Sequence, residues 1–473
     1  MDRSSPANML LVKRNTHSPR KKPGAVLLKQ GSLLLCALLF ALFGSVPLHA
    51  APSDVENLQT AYDQAASSSP AIAQARAQLD HDLAGKPLSR AALLPHINAG
   101  ASGGMNTARV TGFGPQPIST AYHSDVFSAS LTESIFDGQA FTAMRQSESR
   151  IRASQAALAY AQLVVALQVT QAYFGILQAQ ANQRVAQQQM DLLQSIDRQT
   201  RASLHVGSGD IISVQEAQAQ LDAARADLIT ANNAVTVAKN QLQSLTHQPI
   251  GTLQDITTLQ PMGPQPDTIG PWLRAALKNQ PLLQQARATL KLSEQQVQYA
   301  RRARWPTLTL SGIGQRASGT LIPPLAIDQI GASLNLSIPI YQGGSTRAGI
   351  HQAEALSRAN RASLAGIQDQ IKLETQTAFQ NLQDSVAQFQ ATQQSVASAK
   401  VSMEGTRKGY QIGSRSIIDL LTATTSYAAA QRNYYLALYT QLVARTQLKA
   451  AAGVLSPADI KAINALLESR PSK

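Results

Sequence analysis

Residues 410–420 read Tyr410-Gln411-Ile412-Gly413-Ser414-Arg415-Ser416-Ile417-Ile418-Asp419-Leu420, and the fold turns on how they are read. A Gly-Ser turn here interrupts two long runs that contain no proline. An echo stands earlier in the chain: Leu204-His205-Val206-Gly207-Ser208-Gly209-Asp210-Ile211-Ile212-Ser213-Val214. Both stretches place Gly-Ser after an aliphatic residue, then two spacers, Ile-Ile and a polar residue. They predict two helical hairpins whose tips carry the polar residues of greatest interest.

Outward from these turns, no proline occurs between Gly138 and Pro249. Residues 139–204 read as one helix of about 100 Å, and 210–247 as a second of about 57 Å. Residues 344–411 and 416–452 repeat the pair at about 100 and 55 Å. Opening helices over 58–92 and 271–304, each about 50 Å long, precede the pairs, the first kinked or interrupted at Pro70 and Pro87. One opening helix stacked on one short helix then matches a long helix in length.

Between each opening helix and long helix lie two strands of about ten residues. Ile97, Ala99 and Ala101 alternate with Asn98, Gly100 and Ser102, and Phe127, Ala129 and Leu131 with Ser128, Ser130 and Thr132. Leu308 and Leu310 alternate with Thr307, Thr309 and Ser311. Ala332, Leu334, Leu336, Ile338 and Ile340 form the clearest strand, with Pro339 at its end or at a bulge. Polar stretches over 106–123 and around Gly319, Pro323 and Pro324 read as loops. Landmarks recur at nearly constant offsets: Pro70 and Pro281, Pro95 and Pro306, Phe136-Asp137-Gly138 and Tyr341-Gln342-Gly343, Gly207 and Gly413. That regularity indicates a duplication. The predicted organisation is a first repeat over 51–247, a linker over 248–270, a second repeat over 271–453 and a tail over 454–473.

Residues 1–50 read as a cleaved secretory signal: a basic segment, an apolar run over 32–47, and Leu48-His49-Ala50 before Ala51. The run is short for a spanning helix, which needs about 20 residues. The single cysteine, Cys36, falls inside it, so the exported chain has no thiol for disulfides, metal binding or nucleophilic attack. Residues 1–50 also hold seven Lys/Arg against one Asp, which leaves 34 basic and 27 acidic residues beyond them. That small excess over a long chain gives no case for nucleic acid as a partner. With 5% aromatic and 15% charged residues, the composition suits close-packed helices rather than a sheet core.

Alternating strands of about ten residues fit a tilted membrane crossing, although a soluble sandwich shows the same alternation. Four strands cannot close a barrel, since the smallest has eight. Lipid tolerates no open strand edge, so a membrane reading demands an oligomer, and three copies supply twelve strands. Arg301-Arg302-Ala303-Arg304-Trp305-Pro306 stands at the foot of the third strand. Arg304 and Trp305 suit a membrane interface, and a solvated helix end reads equally well.

Two tandem halves, each helix, two strands, long helix, Gly turn and helix, resemble the TolC family of outer-membrane channel-tunnels. The resemblance covers nearly all of 55–453 and is closest over 410–425, through Leu421-Thr422-Ala423-Thr424-Thr425. It implies a mainly α homotrimer with a four-strand contribution per chain: an α-barrel of long coiled-coil helices joined to a 12-stranded outer-membrane β-barrel. It implies a passive exit duct that carries small molecules or proteins across periplasm and outer membrane. The implied partners are two further copies, a periplasmic adaptor, an inner-membrane pump and outer-membrane lipid. At the tip it implies a gate in which Tyr410 and Arg415 meet an aspartate on the first hairpin. Ser213 occupies that position, with Asp210 one turn earlier. It also implies an acidic ring, of which Asp419 is present and the second position is Thr422. Asp419 equally fits a capping box with Ser416, and Asp210 a cap for the matching helix. Gly207, Ser208, Gly413 and Ser414 serve the turns, and the resemblance adds adaptor contact.

No catalytic or metal-ligating constellation stands out. The histidines after residue 50 have no H-x3-H or HExxH spacing, and there is no Walker loop, G-x-G-x-x-G or G-x-S-x-G. The expectation is therefore a non-enzyme without cofactor. The competing class is a periplasmic coiled-coil scaffold or adaptor with no channel.

Overall fold

The computed structural model describes residues 57–110, 118–256, 261–319 and 326–467. The predicted signal, Cys36, Pro323 and Pro324 lie outside the described residues. In chain order the elements are α1 (Leu58–Ser68), α2 (Pro70–Ala91), β1 (His96–Val110), β2 (Ile118–Phe136), α3 (Gly138–His205), α4 (Ile211–Thr246), α5 (Ile269–Asn279), α6 (Pro281–Arg302), β3 (Thr307–Ser318), β4 (Ile327–Ser337), α7 (Ser345–Gln411), α8 (Ile417–Ala451) and α9 (Pro457–Asn464). The four helices around the Gly-Ser turns match the sequence reading to within one or two residues. Propensity suffices there, because long runs of Ala, Gln, Leu and Ser contain neither proline nor a competing turn.

Each opening helix is two helices: the first is interrupted at Pro70 as expected, and the second, expected to be continuous over 271–304, breaks before Pro281. The breaks fall at Ser69 (φ −63°, ψ 119°) and Gln280 (φ −60°, ψ 118°), each followed by proline at the first helical position. Proline fits there because that residue's N–H has no helical acceptor. Pro87 does not break α2: it lies on an exposed turn, where the carbonyl left without a donor faces solvent.

The short helices stack end to end beside the long ones. Gln280 Nε2 donates to the carbonyls of Ala450 and Ala451 at 3.1 and 3.2 Å, closing the C-terminal end of α8 against the α5–α6 break. In the first half the Ser68 hydroxyl reaches the Leu245 and Thr246 carbonyls at the end of α4, both at 3.4 Å. Thus α4, α1 and α2 form one column against the 68 residues of α3, and α8, α5 and α6 another against the 67 of α7.

The first of these joints borders the main core, and the second has apolar clusters of its own around Trp272, Leu448, Leu283 and Ile371. Leu58, Val169, Phe174, Leu177, Leu242, Phe389, Tyr439 and Ile460 are all fully or nearly fully buried in the main core. The linker is pinned there by Asp255, whose carboxylate accepts the Tyr439 hydroxyl at 2.8 Å and its neighbour's N–H from Ile256 at 2.8 Å, and pairs with Arg184 at 3.3 Å. Tyr173 donates to the Gln254 carbonyl at 2.8 Å, and burial raises its pKa well above the ordinary phenol value. The predicted tail is not all irregular. Ser456 and Asp459 form a capping box for α9, which docks Ile460 and Ile463 into this core.

The strands make one antiparallel sheet in the order β1-β2-β3-β4. β1 and β2, at 15 and 19 residues, run through most of the stretch expected to be a loop. Continuous pairing from His96↔Thr132 to Val110↔Ile118 satisfies their backbone whatever their side chains, so the Gly and Asn there do not stop the ladder. Conversely β4 ends at Ser337, short of Ile338 and Ile340, next to a proline that has no N–H to donate.

Register sorts the two faces. Ile97, Ala99 and Ala101 stand beside Leu131, Ala129 and Phe127 on one face, with Leu308 and Leu310 beside Leu336 and Leu334. The other face carries Ser128, Ser130 and Thr132 and, from β3 and β4, Thr309, Ser311, Ser333 and Asn335. The apolar face is bare: Ile330 is 94% exposed and Ile97 75%.

Removing one donor to Asp255 leaves a buried carboxylate less satisfied, at a cost of about 1–3 kcal/mol. Tyr439→Phe is therefore expected to lower the apparent thermal midpoint by a few degrees, read by circular dichroism; an unchanged midpoint would show that the pin carries no load.

Candidate functional site at the hairpin tips

Gly207 and Gly413 have φ of +74° and +76°. That left-handed conformation closes a helix C-terminus and favours glycine. The two turns share three backbone bonds, and the first adds a fourth from the Gly209 N–H to the Ser203 carbonyl. Val206, Gly207 and Ser208 donate backbone N–H to the carbonyls of Ala202, Leu204 and Ser203, and Ile412, Gly413 and Ser414 to Lys408, Tyr410 and Gly409. The Ser208 and Ser414 hydroxyls close on the same carbonyls, Ser203 and Gly409, at 3.2 and 3.1 Å. All four Gly and Ser residues are exposed.

Beyond each turn the next helix is capped by the same two residue types with their places exchanged. Asp210 starts α4: its carboxylate accepts the Ser213 N–H at 2.8 Å and the Ser213 hydroxyl at 2.7 Å. Ser416 starts α8: its hydroxyl accepts the Asp419 N–H at 3.1 Å, while the Asp419 carboxylate accepts the Ser416 N–H at 3.0 Å. The hydrogen bonds from Ser213 hold the Asp210 carboxyl below its ordinary pKa. Those from Ser416 do the same for Asp419, with a smaller contribution from Arg415. Within one chain both carboxylates are therefore caps.

Tyr410 is half-buried against an apolar cluster that joins the two hairpins: Leu193 and Ile196 from α3, Ala217 and Leu221 from α4, and Ile417, Leu420 and Leu421 from α8. Burial raises its hydroxyl pKa, and the Asp210 carboxylate adds to the shift. The fold thus puts Asp210 within electrostatic reach of the Tyr410 hydroxyl across the hairpins, while the Ser213 hydroxyl is already committed to Asp210. Arg415 is exposed, and its stem lies over Gly409, where a Cβ would come within 2.7 Å.

Glu216 was not singled out by the sequence reading. It shares with Thr422 an open groove of about 460 Å³ between α4 and α8. Its signal was present: the offset that pairs Gly207 with Gly413 also pairs Glu216 with Thr422. Down the start of each helix, acid and hydroxyl therefore alternate in opposite phase, Asp210-Ser213-Glu216 against Ser416-Asp419-Thr422. Among the described residues no group of three or more His, Cys, Asp or Glu is arranged to hold a metal.

At the other end, Trp305 is 44% exposed and also forms a joint. Phe136 stacks on it at 6.2 Å, and the Arg302 guanidinium stands 4.9 Å over its ring. Arg302 also donates to Thr142 Oγ1 at 2.8 Å, tying α6 to α3. A Cβ on Gly138 would lie 2.8 Å from the Trp305 ring, so only glycine lets α3 start so close. Arg304 is exposed beside this joint.

The chain matches the outer membrane efflux protein family twice, over residues 61–247 and 272–454. It is 29% identical to the outer membrane protein TolC of Escherichia coli strain K12, over 89% of this chain and 86% of that one. It is 27% identical to the alkaline protease secretion protein AprF of Pseudomonas aeruginosa, over 80% of this chain and 81% of that one. The crystal structure of the Campylobacter jejuni CmeC outer membrane channel superimposes with a TM-score of 0.76 at 20% identity, covering 87% of this chain and 90% of that one. The chain is a member of the outer membrane efflux protein family, a channel protein of the outer membrane that reaches into the periplasm rather than an enzyme.

Proposed function

We propose that three copies of the chain form a passive duct across the periplasm and outer membrane, each repeat contributing two strands and two helical columns. The observation that carries this reading is the four-stranded sheet with one bare apolar face and, among the described residues, no partner on the outer edges of β1 and β4. Joining β4 of one copy to β1 of the next closes a 12-stranded barrel and removes every edge. A soluble scaffold would instead leave Ile330, Leu334 and Leu336 against water. From Trp305 to the Arg316–Asp328 pair, β3 supplies about ten residues, some 33 Å along the strand. At the usual tilt that is an apolar band about 25 Å tall. The Ser- and Thr-rich face then lines the lumen.

The helical hairpins form the periplasmic entrance, docking a periplasmic adaptor and inner-membrane pump through Gly207, Ser208, Gly413 and Ser414. The pump supplies energy and selects the cargo, small molecules or proteins. Tyr410, Arg415, Asp419, Asp210 and Ser213 hold the entrance closed, with Asp210 as the carboxylate that faces Tyr410.

The assembly is tested with cysteine pairs, since the chain beyond Cys36 has none. Asn98→Cys on β1 with Asn335→Cys on β4, and neighbouring pairs along the same strands, should give disulfide-linked trimers on oxidation. Monomers alone from the whole series would rule the barrel out.

For the gate, Arg415→Ala with Tyr410→Phe should raise single-channel conductance in planar bilayers. Asp210→Asn, which keeps a cap acceptor, should do the same, and Ser213→Ala should not. Unchanged conductance in the first two would remove the gate assignment. Because both cap carboxyls titrate below their unfolded value of about 3.9, their stabilisation is complete above that pH and is lost as pH falls through the lower native values. Exchange protection of the Ser213 and Asp419 amides should accordingly hold from pH 7 to about 5 and drop below about 4.

A further inference from the structure

The positive charge of the chain is concentrated where the helices meet the sheet. Over 77–91, 138–152, 288–306 and 345–361 lie twelve Lys/Arg and five Asp/Glu. That surplus equals the surplus of the whole chain beyond residue 50. Seven of these arginines are exposed and have no ion-pair partner among the described residues, and the one nearest the sheet on each of α2, α3, α6 and α7 is Arg90, Arg145, Arg304 and Arg347. Arg90 is the penultimate residue of α2, Arg304 lies just past α6, and Arg347 is in the first turn of α7. Arg145 is seven residues into α3, about 10 Å along its axis.

Most of the nearby acids among the described residues are committed elsewhere: Asp137 caps α3, Glu148 pairs with Lys86, Glu354 with Arg301 and Glu294 with Arg361. Further copies of the chain add the same surplus again. Arg347 also stands where the helix dipole disfavours a cation. The level of Arg90, Arg304 and Arg347 is informative, because Arg304 adjoins Trp305, the start of the apolar band, and a lipid headgroup layer is only about 5–8 Å thick. Arg145 lies a little deeper, within reach of that layer for so long a side chain.

We infer that these arginines form a collar that binds the phosphates of anionic phospholipids at the periplasmic face of the membrane. The inference rests on the reading of the sheet as the membrane-crossing part. Guanidinium groups suit phosphate oxygens, donating charge-assisted hydrogen bonds to them. Facing the lumen, the same groups would oppose one another across a pore with no counter-charge.

The test uses the full chain in neutral detergent, mixed with phosphatidylglycerol and phosphatidylcholine, with retained lipid counted by native mass spectrometry. A basic residue at an anionic surface is worth roughly fivefold, so wild type should favour phosphatidylglycerol by at least about tenfold, less as salt rises. Replacing all four arginines by Gln should bring the preference close to parity without changing conductance in neutral bilayers. Replacing them by Lys should keep most of it, which separates charge from misfolding. Equal retention of both lipids by wild type overturns the inference. So does a Gln variant that retains lipid normally but changes the cation-to-anion selectivity of the channel, because the arginines then line the lumen. Wild type that prefers phosphatidylglycerol yet conducts no ions supports the collar and counts against the duct, so the two readings fail separately.

Discussion

A helix about 100 Å long needs a partner along its whole length, and no other helix in its half of this chain is more than about half as long. The rest of the structure depends on how that mismatch is met. Shorter helices abut end to end, and each joint must supply acceptors and donors for backbone groups that no helix satisfies. Gln280 does this for the end of α8, and the serine at the α1–α2 break caps α2, accepting the Ile72 N–H at 3.4 Å. The core is thickest at the α1–α2 break, where the linker and α9 also dock. The middle of the molecule is therefore a clamp, and the two hairpin ends are free to serve other purposes.

At one end the chemistry suits lipid. The sheet hides no apolar face of its own and leaves both edges open, which makes it unstable as a separate domain in water. The Trp305–Arg302–Phe136 joint sets its attachment to the columns, and the charge surplus just below it matches the chemistry of a headgroup layer. At the other end the two turns are built alike but charged differently. Asp210 and Asp419 each serve a helix N-terminus, so the acidic groups at the entrance are placed by capping before any role in gating. The apolar cluster behind Tyr410 keeps the hairpins together, and the polar contacts lie outside it.

Much of the site was legible in the sequence. Gly207 and Gly413 announce turns because only a left-handed residue closes a helix so abruptly. Ser416 and Asp419 announce a cap by their spacing. Asp210 was legible as a candidate one turn from Ser213, but its nearness to Tyr410 was not, because the two belong to different hairpins and approach only when the apolar cluster packs. Glu216 was legible through the repeat offset and was passed over, having no motif of its own.

The sequence alone determined the duplication, the four helices flanking the tips and the alternation of the strands, since each follows from local periodicity and the positions of Gly and Pro. Tertiary structure decided the break at Gln280 and the extension of β1 and β2 through their glycines. It also decided the docking of α9 and the placing of Asp210 within electrostatic reach of Tyr410. The physical reason is common to all four. Each depends on a hydrogen-bond partner or packing surface distant in sequence, and no local pattern records which distant group will supply it.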